Sequence, residues 1–407
     1  MSVSLEKLTE LLTECDVSKS DQLKDALARV GQAHADLAAE RVVAELTESG
    51  VITPLQSELL LAGRNLVLGH YILREKIGEG GMGTVYAARH RHMGRQVALK
   101  VIRPDRFKDP GFIERFRREI QLAARLRHTN IVVAYDAGED HGALYLVMEL
   151  VEGCDLARHV RRYGALDLPT ALDAVRQAAC GLAYLHSQKL VHRDIKPSNL
   201  LLDRQGVVKI LDLGLSRLVE WSEAVQAGVY STATIPGEPM GSVDFMSPEQ
   251  FVNARLVDAR ADLYSLGCTL YGLLTGRPPF PGMSPGERII AHREHPIPSL
   301  RNVVPDAPPG LERLFQRLLA KNPALRPSDA NRVIAEIDAL GILRSSSGVP
   351  AAAIAAEFAE TEVFPRAPSA TGRMTKSRLI ASVCAIVGVA LTALAISRYR
   401  TVGGDKT

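Results

Sequence analysis

Between two apolar stretches, Val191–Leu200 reads VHRDIKPSNL and crowds His192, Arg193, Asp194, Lys196 and Asn199 into eight positions. Such a density of polar groups is unusual for a surface loop, and together they suit one chemistry. Transfer of a phosphoryl group needs an aspartate to orient the attacking hydroxyl and take its proton. It also needs an oxygen ligand for a divalent cation, and a positive charge against the phosphate. Asp194, Asn199 and Lys196 supply one of each. Thirteen residues after Asn199, Asp212-Leu213-Gly214 closes the apolar run Val207–Leu211. A strand end followed by Asp and Gly is a metal-ligand position with room for a turn. Alone it says little; at this distance from HRDxxxxN it is a strong signal.

Upstream lies Ile77-Gly78-Glu79-Gly80-Gly81-Met82-Gly83-Thr84-Val85. Its GxGxxG spacing is shared with dinucleotide-binding folds, because glycines let backbone N–H groups approach phosphates with no Cβ in the way. The sequel separates the two. A Rossmann glycine run opens a helix, whereas this one continues into the β-like runs Thr84–Ala88 and Val97–Ile102. The pattern predicts a glycine-rich hairpin over a nucleotide. Lys100 sits 17 residues after Gly83 among apolar neighbours. A lysine in such a strand is commonly a snorkelling surface residue; behind a glycine hairpin it becomes a candidate grip for the α- and β-phosphates. Glu119, beside the helix face marked by Phe112, Phe116, Ile120 and Ala123, is the candidate counter-charge.

These residues need elements to hold them. From Tyr71 come short β-like runs (YILREKI, TVYAAR, QVALKVI, IVVAYDAG, LYLVMEL), and helical periodicity dominates after about residue 155. A strand-rich part followed by a helix-rich part predicts an α+β unit with two lobes, closing near Leu340 with VIAEIDAL. Residues 1–68 read as helices: Leu5, Leu8, Leu11 and Leu12, then Leu23, Leu27 and Val30, then Val42, Val43 and Leu46 recur at helical spacing. Gly50 is placed to end the third. Thr53, Pro54 and Gln56 form a capping-box signature, and Gly63 stops the helix that follows. With no ionisable cluster, this stretch is expected to be a helical docking or interaction module, a plain spacer being the duller alternative.

Residues 343–378, rich in Ala, Ser, Pro and Thr, read as a flexible linker. Residues 379–396 carry no charge over 18 positions, about 27 Å of helix at ~1.5 Å per residue, at the short end of what spans a bilayer. A transmembrane helix is expected there, followed by the tail 397–407. Basic residues flank both ends, so charge barely decides orientation. MSVSLEKLTELL lacks the basic and apolar regions of a signal peptide. Five scattered cysteines form neither a zinc motif nor a disulfide framework, which fits a reducing compartment. A net charge of +3 and 5% aromatics argue against nucleic acid as a partner.

With these motifs in this order, residues 71–340 resemble the eukaryotic-type protein kinase domain found in bacteria. The resemblance implies a two-lobed protein-kinase-like fold, with a small β-rich lobe and a large helical lobe. By that resemblance the turn Ile77, Gly78, Glu79, Gly80, Gly81, Met82 and Gly83 covers the phosphates of ATP. Lys100 pairs with them and with Glu119, Asp194 is the catalytic base, and Asn199 and Asp212 bind Mg²⁺, with Mn²⁺ able to stand in. Met148 is the gatekeeper, and the backbone of Glu149 and Val151 meets the adenine under Val85 and Ala98. Lys196, in the HRDIKPSN form of the loop, resembles serine/threonine rather than tyrosine kinases. Ser247-Pro248-Glu249 stands where Ala-Pro-Glu is usual, Arg326 is placed to pair with Glu249, and Asp262 resembles the aspartate that braces the catalytic loop.

Leu213 replaces the usual phenylalanine of DFG, and Ser242 replaces a threonine; neither removes a needed charge. In this family an arginine at position 193 calls for an anion, often a phosphate on the activation segment, here 212–249. Ser231, Thr232 and Thr234 are the candidate autophosphorylation sites. Implied partners are protein substrates, the membrane through one helix, and a second copy of the chain. Since ATP and Mg²⁺ are cytoplasmic, the kinase is expected on the cytoplasmic side of the cell (inner) membrane, held by a single pass. The eleven residues left beyond it are too few for a sensor domain. The rival reading is a membrane-held pseudokinase scaffold, against which Lys100, Glu119, Asp194, Asn199 and Asp212 all stand.

Overall fold

Leucines three and four apart make the first element a helix, and Ser4 starts it. In the computed structural model α1 (Leu5–Glu14) is capped by the Ser4 hydroxyl, which accepts the Lys7 N–H at 3.2 Å. Two further helices follow, α2 (Ala35–Glu48) and α3 (Pro54–Leu61). The expected capping box is present, with Pro54 in the first turn where its missing N–H costs nothing.

The structure describes residues 4–15, 35–81, 83–103, 110–211, 242–253, 257–282 and 284–342. Several sequence-based expectations lie outside them: the helical pattern at Leu23–Val30, Met82, Asp212-Leu213-Gly214, Ser231, Thr232 and Thr234, the linker 343–378, the span 379–396 and the tail 397–407. Among the described residues, no helix is long and apolar enough to cross a membrane.

Beyond α3 a six-stranded antiparallel sheet forms, in the order β1-β2-β3-β4-β6-β5. Its strands are β1 (Val67–Leu68), β2 (Tyr71–Gly80), β3 (Gly83–His90), β4 (Gln96–Ile102), β5 (Ala134–Asp140) and β6 (Ala143–Glu149). Two expectations are corrected here. The stretch read as helical to residue 68 ends in a strand, because Gly69, at φ +57°, turns Val67–Leu68 back against Ile72 and Tyr71. The run Ile131–Gly138 is split: Ile131 bridges Ile210 in parallel, the Val132 N–H donates to the Ile210 carbonyl, and β5 begins only at Ala134. Helix α4 (Pro110–Ala123) packs Phe116, Ile120 and Ala123 on Ile102, Ala134, Leu144 and Leu146.

The N-terminal helices share a core with this sheet. Leu8, Leu11 and Leu12 of α1, Val42, Val43 and Leu46 of α2, and Leu60 of α3 form one buried cluster with Leu66, Val67 and Ile72. Leu55 and Leu59 of α3 also pack on Leu68, Tyr71 and Leu73.

The second lobe holds a three-stranded sheet, β7 (Gly153–Asp155), β8 (Leu200–Asp203) and β9 (Val208–Ile210), and the helices α5 (Leu156–Tyr163) and α6 (Leu168–Ser187). Five more follow: α7 (Pro248–Asn253), α8 (Arg260–Thr275), α9 (Pro285–Glu294), α10 (Pro309–Leu318) and α11 (Ala330–Asp338). Asp155, Asp167 and Asp329 cap α5, α6 and α11 by accepting the N–H three residues on. Helix α8 is buried from Ala261 to Leu274, mostly apolar around its circumference, with Asp262, Ser265 and Thr269 as its buried polar residues. Helices α6, α8, α10 and α11 and strands β8 and β9 converge on one apolar core.

Candidate active site

The HRD loop leaves α6 and returns as β8, and its shape is set by one buried aspartate. Asp262, with no exposed surface near the start of α8, accepts the N–H of His192 at 2.8 Å and that of Arg193 at 2.6 Å. It also lies 2.9 Å from His186 Nε2. Arg193 adopts φ +66°, a left-handed conformation that costs a non-glycine residue about 1–2 kcal/mol. Its neighbours hold it there: Asp262 takes the N–H, and Gln250 Nε2 donates to the carbonyl at 2.9 Å. The expected bracing role of Asp262 is what the geometry displays. Gln250 is a second brace that sequence reading missed.

Asp194 is the centre of the loop. Asn199 Nδ2 donates to its carboxylate at 2.9 Å and to its carbonyl at 2.7 Å, and Lys196 Nζ lies 3.2 Å from the same carboxylate oxygen. Asn199 is buried in the 3₁₀ turn Pro197–Asn199. Because its amide nitrogen is committed to Asp194, its oxygen is the atom left for a cation. Asp212, the other expected ligand, lies outside the described residues, yet the peptide before it is clamped. The Leu211 N–H donates to the Asn199 carbonyl at 2.9 Å, and the Leu211 carbonyl accepts from His192 Nε2 at 2.8 Å.

In the sheet, Lys100 is buried on β4 opposite Val85 and Leu146. Glu119 belongs to α4, but its side chain lies outside the described residues. The glycine-rich turn is the β2–β3 hairpin, with Gly78 opposite Val85, Glu79 opposite Thr84 and Gly80 opposite Gly83. A Cβ at Gly80 or Gly81 would meet nothing within 4 Å, so the space an incoming phosphate needs is open there. Gly83 differs: a Cβ would fall 2.0 Å from the Val101 carbonyl oxygen, so glycine is required for strand packing.

Below the hairpin, Ala98, Val132 and Met148 form a small buried cluster against Val85, Leu150, Val151, Leu201 and Leu211. Val85, Ala98, Met148 and Val151 were expected there; Val132, Leu201 and Leu211 were not. Together they make an apolar slot drawn from both sheets, of the kind that takes a flat heterocycle. Glu149 is tied down beside it: its carboxylate lies 2.9 Å from Lys209 Nζ and accepts the Val133 N–H at 3.3 Å. Lys209 is another residue the sequence did not flag. At the far side of the HRD loop Arg326, with no exposed side-chain surface, meets Glu249 in a bidentate pair at 2.5 and 2.8 Å. No group of three or more His, Cys, Asp or Glu side chains suited to a metal occurs among the described residues.

An apolar slot, a glycine hairpin, a buried lysine and a braced HRD loop are the groups that holding a nucleotide and moving a phosphoryl group would call on. Comparison with known proteins agrees: the family model for the protein kinase domain matches residues 71–337, and the chain belongs to the protein kinase family. It is 37% identical over 278 residues to serine/threonine-protein kinase PrkC of Bacillus subtilis (strain 168), covering 68% of this chain and 41% of that one. It is 39% identical over 272 residues to serine/threonine-protein kinase PknB of Mycolicibacterium smegmatis, covering 66% and 42%. The chain thus spans about two-fifths of the length of these relatives. Among solved structures, the PknI kinase domain of Mycobacterium tuberculosis aligns with a TM-score of 0.52 at 27% identity, covering 67% of this chain and 97% of that domain.

Proposed function

We propose that this chain is an ATP-dependent serine/threonine protein kinase that transfers the γ-phosphoryl group of Mg-ATP to Ser and Thr hydroxyls of proteins. The observation that carries it is the setting of Asp194, with Asn199 and Lys196 within 3.2 Å of its carboxylate on a loop braced by Asp262. Asp194 orients the substrate hydroxyl and takes its proton as the oxygen attacks. Lys196 meets the charge that develops on the transferred group, and Lys100 holds the α- and β-phosphates, with Glu119 as its counter-charge. Asn199 and Asp212 are the residues that would hold Mg²⁺, or Mn²⁺ in its place; when bound, the cation neutralises phosphate charge. The apolar slot takes the adenine. The full-length chain with Mg²⁺ and labelled ATP should phosphorylate itself or a generic basic protein on Ser and Thr, and Asp194→Ala should abolish this. Labelling that survives Asp194→Ala would overturn the assignment.

Control through the activation segment is part of the proposal. Arg193 Nε is buried and meets no partner among the described residues, a position that an acquired phosphate would complete. Ser231, Thr232 and Thr234 are the acceptors put forward. Replacing all three by Ala should lower turnover, and an unchanged triple variant would reject them.

The uncharged span 379–396 supports a single-pass tether to the cell membrane with the kinase on its cytoplasmic side, where ATP is found. Pairing of two copies through this span is the homodimer we put forward. Deleting 379–396 should move the protein from the alkali-resistant membrane fraction to the supernatant; equal partition with and without it would remove the tether from the reading.

A further inference from the structure

The capping box of α3 does more than start a helix. Within it, the Thr53 hydroxyl accepts the Gln56 N–H at 3.3 Å, and Gln56 Oε1 accepts the Thr53 N–H at 2.9 Å. Each side chain keeps a donor in reserve, and both donors go to β2. Gln56 Nε2 donates to the Leu73 carbonyl at 2.7 Å, and the Thr53 hydroxyl donates to the Arg74 carbonyl.

Those two carbonyls lie at an irregularity in the sheet. Leu73 faces Ala88 and Glu75 faces Ala87, so two residues of β2 are spent on one step of β3 and Arg74 has no opposite number. A bulge leaves backbone groups outside the ladder, and buried backbone groups must find partners elsewhere. Here the helix supplies them. Gln56, only 2% exposed, is buried between helix and strand for this purpose.

Register is what the bulge controls. A one-residue slip sends every side chain to the opposite face. A second shift follows between Lys76 and Gly78, and only then does the strand reach Gly80 opposite Gly83. Gly83 cannot yield its place to another residue because of the Val101 carbonyl. The strand must therefore arrive at the turn in one register, and the two carbonyls held by α3 sit at the first of the two shifts along β2.

We infer that Thr53 and Gln56 are positioning residues for the glycine-rich turn, fixing through the Leu73–Glu75 bulge where that turn sits over the nucleotide. This rests on the ATP-binding reading of the site. It also gives the N-terminal helices a direct line to that site along a single strand.

The test uses the full-length chain. Gln56→Glu keeps the acceptor for the Thr53 N–H but loses the donor to Leu73; Thr53→Val loses the hydroxyl, and Thr53→Ser keeps it. Gln56→Glu loses one hydrogen bond and Thr53→Val loses two, the cap on the Gln56 N–H and the donor to Arg74. KM for ATP should rise about fivefold in the first and at least as much in the second, kcat should change less than KM, and Thr53→Ser should restore the wild-type value. A purely structural role would lower the melting temperature of the folded variants and leave KM for ATP in place, which would overturn the inference. Should Gln56→Glu fail to fold, Thr53→Val against Thr53→Ser decides alone. Amide hydrogen exchange gives a readout independent of catalysis. Faster exchange at residues 78–85 in Thr53→Val than in wild type supports the positioning role, and equal rates reject it. A wild type that transfers no phosphate would sink the kinase reading, and the exchange comparison would still decide the inference.

Discussion

The imidazole of His192 ties Asp194 to Leu211: Nδ1 accepts the Asp194 N–H at 3.2 Å, and Nε2 donates to the Leu211 carbonyl at 2.8 Å. The two partners demand opposite roles of the two nitrogens, so the ring is held as the neutral Nε2–H tautomer. One buried ring thereby links the proposed base to the peptide preceding the proposed metal ligand Asp212. His192→Leu removes both bonds and leaves the Leu211 carbonyl without this donor. Stability is expected to fall by about 1–3 kcal/mol, and kcat by roughly ten- to a hundredfold as the two groups lose their mutual placement. Urea unfolding and steady-state kinetics on the same preparation check this; a destabilised variant with wild-type kcat would count against it.

Two glycines of one turn should behave oppositely. Gly83→Ala places a Cβ against backbone, 2.0 Å from the Val101 oxygen, and is expected to cost about 1–3 kcal/mol of stability. Gly80→Ala meets nothing within 4 Å and should leave stability within about 0.5 kcal/mol of wild type. Its effect should instead appear as weaker ATP binding. Denaturant curves and nucleotide titrations of both variants settle the contrast.

The Glu249–Arg326 pair is bidentate, and its arginine side chain has no exposed surface. Arg326→Met leaves the carboxylate of Glu249 without its guanidinium, and a loss of about 3 kcal/mol is expected. Pairing that change with Glu249→Gln in a double-mutant cycle should recover part of the loss. Strictly additive effects would mean that the pair contributes no coupling.

His292 shapes the acid limit of stability. Burial, with the nearby Lys321 and Arg288 cations, pushes its pKa down from 6.5 to about 3. Between those values the unfolded chain binds a proton that the folded one refuses, so stability falls as pH falls. The slope from this group is expected to steepen below pH 6.5 towards about 1.4 kcal/mol per pH unit. Urea unfolding between pH 6.5 and 5 should show that slope in wild type and a flatter one in His292→Asn; parallel lines would remove His292 as the cause.

Much of the site could be read from spacing because its contacts are local or its residue types are chemically costly to bury. Asp194, Lys196 and Asn199 meet within six residues of chain. Asp262 and Arg326 were placed by the resemblance to the family rather than by the pattern of residues around them. What escaped was tertiary. Val132, Leu201 and Leu211 are ordinary apolar residues in short runs, and nothing in those runs says that they converge on one slot. Lys209 reads as a strand lysine until β9 lies beside Glu149. Gln250 and Gln56 escaped for another reason: amides carry no charge to announce them, and their targets are backbone carbonyls set by the fold. The Ile131 run misled because a continuous apolar stretch does not reveal which sheet each residue joins.

The apolar cluster that joins α1, α2 and α3 to Val67 and Ile72 separates two definitions of a domain. The stretch this family holds in common begins at residue 71, inside that cluster. The unit that buries its own surface begins well before it. A gene fragment cut at residue 71 would leave Ile72 and the outer side of β2 bare to water, an invitation to clumping during expression. Swapping kinase domains between relatives at that boundary would meet the same obstacle, whereas a cut made before α1 would carry the whole greasy seam along with the enzyme.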